Sequence, residues 1–315
     1  MIGPDTVIAL EEHYYDAELA ALPGFLASAP MRAQLLDFES KGIEAMDRAG
    51  VDIQVISHNA PSGQALDAAQ GDLMRRVNDR LAATCARHPG RLFAFAGLAT
   101  ADPEGAAREL ERCVNELGFR GAMIHGPTAG RFIDDPAFWP VFERAEALGV
   151  PVYLHPTYPC RAMTDLYCAD YAARFPQFPN AAWGFAVETG SIAIRMVLSG
   201  VFGKHPGLRC ILGHFGETLP FHLWRLNHTL SEPGPDGLDF AATFRRHFWL
   251  TSSGLFSNHA LACSVAEMGT DRVMFSVDWP YERADEAVAW ARAVPLGAED
   301  RARFLGGNAR ELLRL

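Results

Sequence analysis

The chain has 315 residues, of which 49% are hydrophobic and 21% are charged, and its formal net charge is −10 at pH 7. This composition is typical of a globular protein with a large core and excludes a largely disordered chain. The acidic balance argues against nucleic acid or an anionic membrane surface as a partner.

The sequence predicts neither a membrane span nor a disulfide framework. The sequence contains no apolar run of about 18 residues, which a membrane span would need, and its first residues lack the basic and apolar regions of a signal peptide. The six cysteines form no CxxC pair. Scattered cysteines of this kind are typical of reduced thiols, and we therefore expect a cytoplasmic protein.

Short apolar runs alternate along the chain with amphipathic segments of helical spacing. This alternation predicts a parallel sheet covered by helices. Eight such strands are what a closed (β/α)₈ barrel needs, and the length exceeds the roughly 250 residues typical of that fold. We therefore expect one α/β TIM-barrel domain over residues 1–315. The predicted strands are Thr6–Leu10, Val51–Ser57, Leu92–Leu98, Gly121–His125, Val150–His155, Arg209–Gly213, Phe248–Ser252 and Val273–Val277. The predicted helices are Leu35–Ala49, Leu73–His88, Pro103–Leu117, Pro136–Leu148, Ser191–Val201, His259–Met268 and Asp285–Ala293.

The alternative architecture is an open, doubly wound sheet. No GxGxxG or GxxxxGK[ST] phosphate loop follows the first predicted strand, so the barrel is favoured. Two segments interrupt the alternation, Pro156–Trp183 after the fifth strand and Asn227–Asp239 after the sixth. Long loops after barrel strands usually cover the active site, and we predict that residues 156–183 form a lid or a substrate wall.

Polar residues stand at the ends of four predicted strands, where a barrel of this kind carries its chemistry. The segments are Glu11-Glu12-His13, Leu154-His155-Pro156, Gly213-His214-Phe215-Gly216-Glu217 and Val277-Asp278-Trp279-Pro280. Alternate residues of a strand share a face. Strict alternation groups Val7 and Ala9 with Glu11 and His13, and it predicts that both polar side chains point into the barrel mouth.

Two imidazoles and two carboxylates, from Glu11, His13, His155 and Asp278, suit one divalent ion such as Zn²⁺ or Mn²⁺. Taken singly, each residue has a simpler explanation. A strand-end histidine is more often hydrogen-bonded packing, and an aspartate can cap a helix. The coincidence of ligand-type residues at independent strand ends favours a metal site.

The lysine content indicates how many ions such a site holds. The chain has only two lysines, Lys41 and Lys204, and neither ends a predicted strand. A two-metal site bridged by a carboxylated lysine therefore has no candidate residue, and we expect a single metal ion. Two further histidines, His58 and His125, end the second and fourth predicted strands, and each is equally compatible with a pocket wall and with packing.

At six motifs the chain resembles the decarboxylase branch of the amidohydrolase superfamily, and in particular the non-oxidative hydroxybenzoate decarboxylases that act on γ-resorcylate or 2,3-dihydroxybenzoate. The resemblance extends over nearly the full length. The motifs are Ala9-Leu10-Glu11-Glu12-His13, Asn59-Ala60-Pro61, Tyr153-Leu154-His155-Pro156, Trp183-Gly184-Phe185-Ala186-Val187-Glu188-Thr189, Leu212-Gly213-His214-Phe215-Gly216-Glu217 and Phe275-Ser276-Val277-Asp278-Trp279-Pro280.

The resemblance implies roles for most residues of the expected site. Glu11, His13, His155 and Asp278 would ligate the metal, and His214, supported by Glu217, would be the catalytic histidine. It also implies Arg225 as an orienting cation and Phe185 as an aromatic wall. From their positions at strand ends, and not from the resemblance, we add His58, His125 and Trp279 as expected substrate contacts. The segments around His58, His125–Gly130 and 156–183 depart from the family pattern, so the resemblance leaves the identity of the substrate open.

We hypothesise that a small aromatic acid loses CO₂ at this site, with Asp278 as the proton donor and His214 as its partner. The alternative is a single-metal hydrolase of a lactone, ester or amide, and a third possibility is a barrel that only binds a ligand. Glu11 favours decarboxylation, because hydrolytic members of the superfamily more often have His-x-His at that position. A homodimer or homotetramer is expected from the frequency of such assemblies.

Overall fold

The computed structural model describes residues 6–234 and 237–315. Pro235 and Asp236, within the second predicted interruption, lie outside the described residues. Eight strands alternate with helices along the chain. The strands are β1 (Ile8–Tyr14), β2 (Ile53–His58), β3 (Leu92–Ala94), β4 (Ala122–His125), β5 (Val152–His155), β6 (Cys210–Leu212), β7 (Phe248–Thr251) and β8 (Val273–Met274).

Helical segments follow the strands and cover them from outside. They are α1 (Ala29–Leu36), α2 (Ile43–Ala49), α3 (Gly71–Arg87), α4 (Pro103–Asn115), α5 (Trp139–Leu148), α6 (Arg161–Tyr167), α7 (Ala169–Ala172), α8 (Gly184–Leu198), α9 (Val201–Lys204), α10 (His214–Glu217), α11 (Leu219–Leu230), α12 (Phe240–His247), α13 (Asn258–Met268), α14 (Ala284–Ala293), α15 (Ala298–Ala302) and α16 (Asn308–Leu313). Within residues 6–234 and 237–315, no helix combines the length and the apolar character that crossing a bilayer requires.

The strands follow one another in chain order and pair in parallel. Strands β1 to β3 form one continuous ladder and β4 to β8 form another. Single bridges join the two ladders at both edges, Ala96 to Ala122 and Glu12 to Trp279. The parallel strands, their order and the outer helices are those of an α/β TIM barrel, as the sequence predicts.

Two apolar layers fill the molecule. The inner layer packs side chains from inside the strands, including Ile8, Leu10 and Tyr153, against Leu312 and Leu313 of α16, which close one end of the barrel. The outer layer packs the other faces of the strands against the helices. Side chains on both faces of the strands are buried, apart from the partly buried Phe93 and Trp249, as expected for a parallel sheet.

A β-bulge in β1 decides which of its side chains reach the interior. Ala9 pairs with Gln54 and Glu12 with Ile56, so three steps along β1 match two along β2. Before the bulge, Ala9 faces the helices. Within it, the consecutive residues Leu10 and Glu11 both point inward, Leu10 into the inner apolar layer and Glu11 toward His155. The prediction that Val7 and Ala9 share a face with Glu11 and His13 was therefore wrong, although both polar side chains do reach the barrel mouth.

Three strands end at least three residues away from the predicted position. β3 ends at Ala94, four residues before the predicted end at Leu98. β1 extends to Tyr14, so Glu11 and His13 lie within the strand and not after it. β8 ends at Met274, because the N–H of Phe275 donates to the carbonyl of Phe304 in the C-terminal helical region instead of to a neighbouring strand.

Two predicted segments have a different internal structure. The helix predicted over Leu35–Ala49 is interrupted at the wide turn Phe38–Gly42, which separates α1 from α2. The interruption at 156–183 contains two short helices, α6 and α7. Large apolar side chains are exposed along it, including Leu166 and Tyr167.

Candidate active site

A cavity of about 1110 Å³ opens at the carboxyl ends of the barrel strands. Its floor is formed by residues, most of them polar, that end or follow strands, and its walls are mainly apolar and aromatic. The floor includes Asn59 after β2, His155 at the end of β5, His214 after β6, Gly254 after β7 and Asp278 after β8. The 156–183 segment contributes Thr157, Tyr158 and Trp183 to one wall.

The four residues proposed as metal ligands meet at and beneath this floor, where His155 and Asp278 line the cavity and Glu11 and His13 are buried next to them. One ligand-type atom from each of Glu11, His13, His155 and Asp278 lies within 4.8 Å of the others. His13 Nε2 is 3.2 Å from Asp278 Oδ1, and His155 Nε2 is 3.1 Å from Glu11 Oε1.

Several atoms of this cluster are buried without a hydrogen-bond partner among the described residues. They are Glu11 Oε1, both ring nitrogens of His13, and Asp278 Oδ1. Buried polar atoms are normally paired, so a convergent set of unpaired nitrogen and oxygen atoms needs an explanation. Two imidazole and two carboxylate ligands around one point fit a single divalent first-row ion.

Neighbouring groups orient two of these side chains. His155 Nδ1 lies 2.6 Å from the carbonyl oxygen of Pro156 and donates to it, which leaves the Nε2 lone pair facing Glu11. The hydroxyl of Tyr153 donates to Glu11 Oε2 and also contacts Thr251 Oγ1 at 2.7 Å. Tyr153 lies two residues before His155 on β5. Because alternate residues of a strand share a face, its side chain points to the same side as that of His155.

His214 stands beside the cluster with its ring held by Glu217. Its Nδ1 lies 2.8 Å from Glu217 Oε1, while its Nε2 is 3.7 Å from Glu11 Oε1 and 3.8 Å from Asp278 Oδ2. Burial lowers the pKa of His214, but the carboxylates of Glu217 and Glu11 raise it, and the pKa ends well above that of an ordinary histidine. These carboxylates therefore favour the protonated form of the His214 ring.

The backbone around His214 is held in an unusual conformation. Every residue from His214 to Thr218 has a positive φ, between 50° and 79°. Left-handed backbone costs an L-residue roughly 1–2 kcal/mol, and only Gly216 adopts it without that cost. Such strain is found mainly at functional sites, where the surroundings hold it in place. The turn aims the His214 ring at the cluster and returns Glu217 beneath it.

The expected substrate contacts lie in different places. Phe185 lines the cavity and packs edge-to-face against Tyr158, with ring centroids 6.3 Å apart. His125 is buried beside His155, with ring centroids 4.8 Å apart, and the cavity-lining residues do not include it.

Like His125, three more of the expected contacts lie outside the cavity lining. His58 packs among aromatic rings, including those of Tyr14 and Phe25, and burial lowers its pKa to about 4, so its ring is neutral packing. Trp279 is buried edge-to-face against Phe38. Arg225 is exposed on α11. His58 shows that a position at a strand end does not by itself decide which way a side chain turns. Contact of these three residues with the substrate stays a prediction.

Other polar residues of the cavity were not among the expected contacts. Tyr281 and Glu282 follow Asp278 closely in sequence and line the cavity next to it, and Asn59 lines it from the end of β2. The Asn59-Ala60-Pro61 motif contributes to the resemblance described above, and it is the one sequence signal that could have identified Asn59. Tyr281 is three residues beyond Asp278, within the turn that follows β8.

Comparison with known proteins agrees with this geometry. The amidohydrolase family model matches residues 15–315. Gamma-resorcylate decarboxylase of Polaromonas sp. (strain JS666) is 37% identical over 325 residues, which cover 98% of this chain and 98% of that protein. A crystal structure of 2,6-dihydroxybenzoate decarboxylase complexed with 2,6-dihydroxybenzoate has a TM-score of 0.90 and 36% identity, over 99% of this chain and 100% of that chain.

A second crystal structure adds a metal to the comparison. The dihydroxybenzoic acid decarboxylase of Polaromonas sp. JS666, with bound manganese and the inhibitor 2-nitroresorcinol, has a TM-score of 0.90 and 37% identity, over 99% of this chain and 97% of that chain. Similarity of this extent, in sequence and in structure, covers the whole barrel and its cavity. The chain therefore belongs to the amidohydrolase family, in the branch that includes the gamma-resorcylate decarboxylases.

Proposed function

We propose that the chain is a metal-dependent, non-oxidative decarboxylase of hydroxybenzoate-like acids. The observation that carries the proposal is the convergence of four ligand-type side chains on one point beside His214. Similarity to a gamma-resorcylate decarboxylase over 98% of the chain supports it. The relatives described above are decarboxylases, which favours loss of CO₂ over hydrolysis of a lactone, ester or amide.

Glu11, His13, His155 and Asp278 are the proposed ligands of one divalent ion. A Mn²⁺ or Zn²⁺ ion held there would act as a Lewis acid toward the substrate carboxylate and an ortho-hydroxyl. The manganese in the Polaromonas structure supports this assignment. The chain contributes the rigid arrangement of its ligands, because Tyr153 and the carbonyl of Pro156 already orient two of them.

The charge distribution of the cavity gives His214 a further role. None of the described residues that line the cavity is a lysine or an arginine. The protonated ring of His214 therefore supplies the positive side-chain charge that an anionic substrate meets at the floor. Phe185 and Tyr158 offer aromatic faces above it, against which the ring of the substrate packs.

Loss of CO₂ requires a proton at the ring carbon that carries the carboxylate. We propose that Asp278 delivers it, because its carboxylate lies at the cavity floor and its Oδ2 is 3.8 Å from His214 Nε2. The protonated ring of His214 gives its proton to Asp278 and regains one from solvent after CO₂ leaves, and Glu217 stabilises the charged form of the ring. The bond to the carboxyl carbon breaks, CO₂ leaves, and the electron pair that remains on the ring takes up the proton.

The first experiment is elemental analysis of the purified protein, followed by measurement of CO₂ release from a panel of hydroxybenzoates that includes 2,6-dihydroxybenzoate. A parallel panel of lactones and esters tests hydrolysis. We expect one equivalent of metal and CO₂ release, with both lost in His155→Ala and retained in His88→Ala, a histidine that instead contacts Glu39 on the surface. Metal with hydrolysis alone would replace the proposed reaction, and no bound metal would overturn the site.

Two further properties remain predictions. We propose a cytoplasmic location, supported by six cysteines that are all free in the structure. A homodimer or homotetramer is proposed from general frequency. Size-exclusion chromatography with light scattering tests the assembly, and a monomer at micromolar concentration would contradict it.

A further inference from the structure

Glu12 is a fully buried carboxylate next to the candidate metal ligands, and neither the reaction nor the cavity uses it directly. Four donors surround it. Ser276 Oγ and the N–H of Val277 donate to its Oε1 at 3.2 and 3.0 Å. Gln54 Nε2 and the N–H of Trp279 donate to its Oε2 at 3.1 and 3.3 Å. A carboxylate has about four acceptor positions, and all of them are used here.

The two backbone donors flank Asp278. Val277 precedes it and Trp279 follows it, so the Glu12 carboxylate bridges the peptide groups on both sides of one candidate ligand. Asp278 itself has a φ of 77°, in the left-handed region that is uncommon for residues other than glycine. Glu12 supplies a fixed anchor for this conformation.

Ser276 connects the same anchor to the other carboxylate ligand. Its hydroxyl oxygen accepts from the N–H groups of Leu10 and Glu11 at 2.9 and 2.7 Å. Both of its lone pairs are then occupied, so its single hydrogen is directed to Glu12. The network thereby ties the backbone of Glu11, on β1, to the segment that carries Asp278, after β8.

We propose that Glu12 is a positioning residue that sets the metal affinity of the site by fixing Asp278 relative to Glu11 and His13. The proposal rests on the metal site of the proposed function. Glu12 touches neither the ion nor the substrate and acts through the backbone of residues 276–279. A purely structural role, in which Glu12 only joins β1 to β8, predicts a loss of stability without a change at the metal.

The test is Glu12→Gln, which keeps the volume of the side chain and replaces one acceptor by a donor that faces donors. The measurements are Mn²⁺ affinity by calorimetry and the electron paramagnetic resonance spectrum of bound Mn²⁺, both without substrate. We expect affinity to fall about 10- to 100-fold, as for other partners of metal ligands, and the spectrum to change. Glu146→Gln is the matched control, because Glu146 also accepts a backbone N–H, from Gly207, but lies outside the cavity lining.

Unchanged Mn²⁺ affinity and spectrum in folded Glu12→Gln would overturn the inference, whatever its melting temperature. If this variant does not fold, Gln54→Met removes one donor to Glu12 together with an amide oxygen that is buried without a partner among the described residues. It is expected to weaken Mn²⁺ binding by a smaller factor, and wild-type affinity would again overturn the inference. Absence of hydroxybenzoate turnover, with Mn²⁺ binding that depends on Glu12, would remove the proposed function and leave the role of Glu12 intact.

Discussion

The hydroxyl of Tyr153 is the most informative single group to delete from the site. It donates to Glu11, a carboxylate with no exposed surface. Among the described residues, no lysine or arginine forms an ion pair with that carboxylate. Tyr153→Phe removes the hydroxyl and keeps the ring in the inner apolar layer. The change is therefore confined to the hydroxyl and its hydrogen bonds, of which the one to Glu11 involves a buried charge.

The magnitude follows from the nature of that bond. A hydrogen bond to a charged group contributes about 1.5–3 kcal/mol, roughly twice or more the value for a neutral pair. The hydroxyls of Thr251 and Ser253, which now contact Tyr153, also lose a partner. We expect the free energy of unfolding of the metal-free protein at pH 7 to fall by about 1.5–3 kcal/mol. Since 1.4 kcal/mol is a factor of ten, the folding equilibrium changes about 10- to 100-fold.

The assay is urea unfolding of the metal-free protein, followed by tryptophan fluorescence, for wild type and two variants. Tyr14→Phe is the matched control. Tyr14 lies on β1 and is also buried, but none of the described residues accepts a hydrogen bond from its hydroxyl. Its removal is expected to be neutral or slightly stabilising. If Tyr153→Phe and Tyr14→Phe unfold at the same urea concentration with the same slope, the argument that Tyr153 stabilises the Glu11 carboxylate is refuted.

Three other changes test other parts of the site. Glu217→Gln should lower the pKa of His214, so the ring loses its proton, and the enzyme its activity, at a lower pH than in the wild type. The test is the pH profile of kcat/KM, and a basic limb at the wild-type position would contradict the prediction. Phe185→Ala should raise KM several-fold with kcat nearly unchanged, since an aromatic contact contributes about 0.5–1.5 kcal/mol to ground state and transition state alike. Burial raises the pKa of Glu188 from 4.5 to about 7. The contribution of its protonated form to the free energy of unfolding is therefore fully present below pH 4.5 and is lost as pH rises through 7. Glu188→Gln should remove this loss, and equal pH dependence of the two melting temperatures would disprove it.

The alternation of strands and helices could be predicted from the sequence because each strand is a short apolar run bounded by polar or turn residues. The same pattern identified His155, His214 and Asp278 as polar residues at strand ends. The inward direction of Glu11 and His13 was predicted for the wrong reason. Apolar residues occupy both faces of β1, so periodicity does not reveal the bulge between Ala9 and Glu12.

The parts that could not be predicted depend on contacts distant in sequence. His58 and His125 have the same position at strand ends, yet one packs among rings outside the cavity and the other lies against His155. The left-handed turn from His214 to Thr218 contains one glycine, and nothing in the composition of the other residues indicates positive φ. Such conformations are imposed by tertiary contacts and are invisible to local propensity.

The closure of the barrel and the candidate metal site are one feature of the structure. Glu11 and His13 lie on β1 and Asp278 follows β8, so three of the four proposed ligands come from the two strands whose bridge completes the barrel. An ion bound there would bind the folded protein and not the separated strands. Its binding free energy would then add to the stability of the fold by mass action, about 2.7 kcal/mol at a free ion concentration of 100 times Kd. In the described residues a single bridge, and no continuous ladder, joins β1 to the segment after β8. We therefore expect chelation of the ion to lower the melting temperature of the whole barrel.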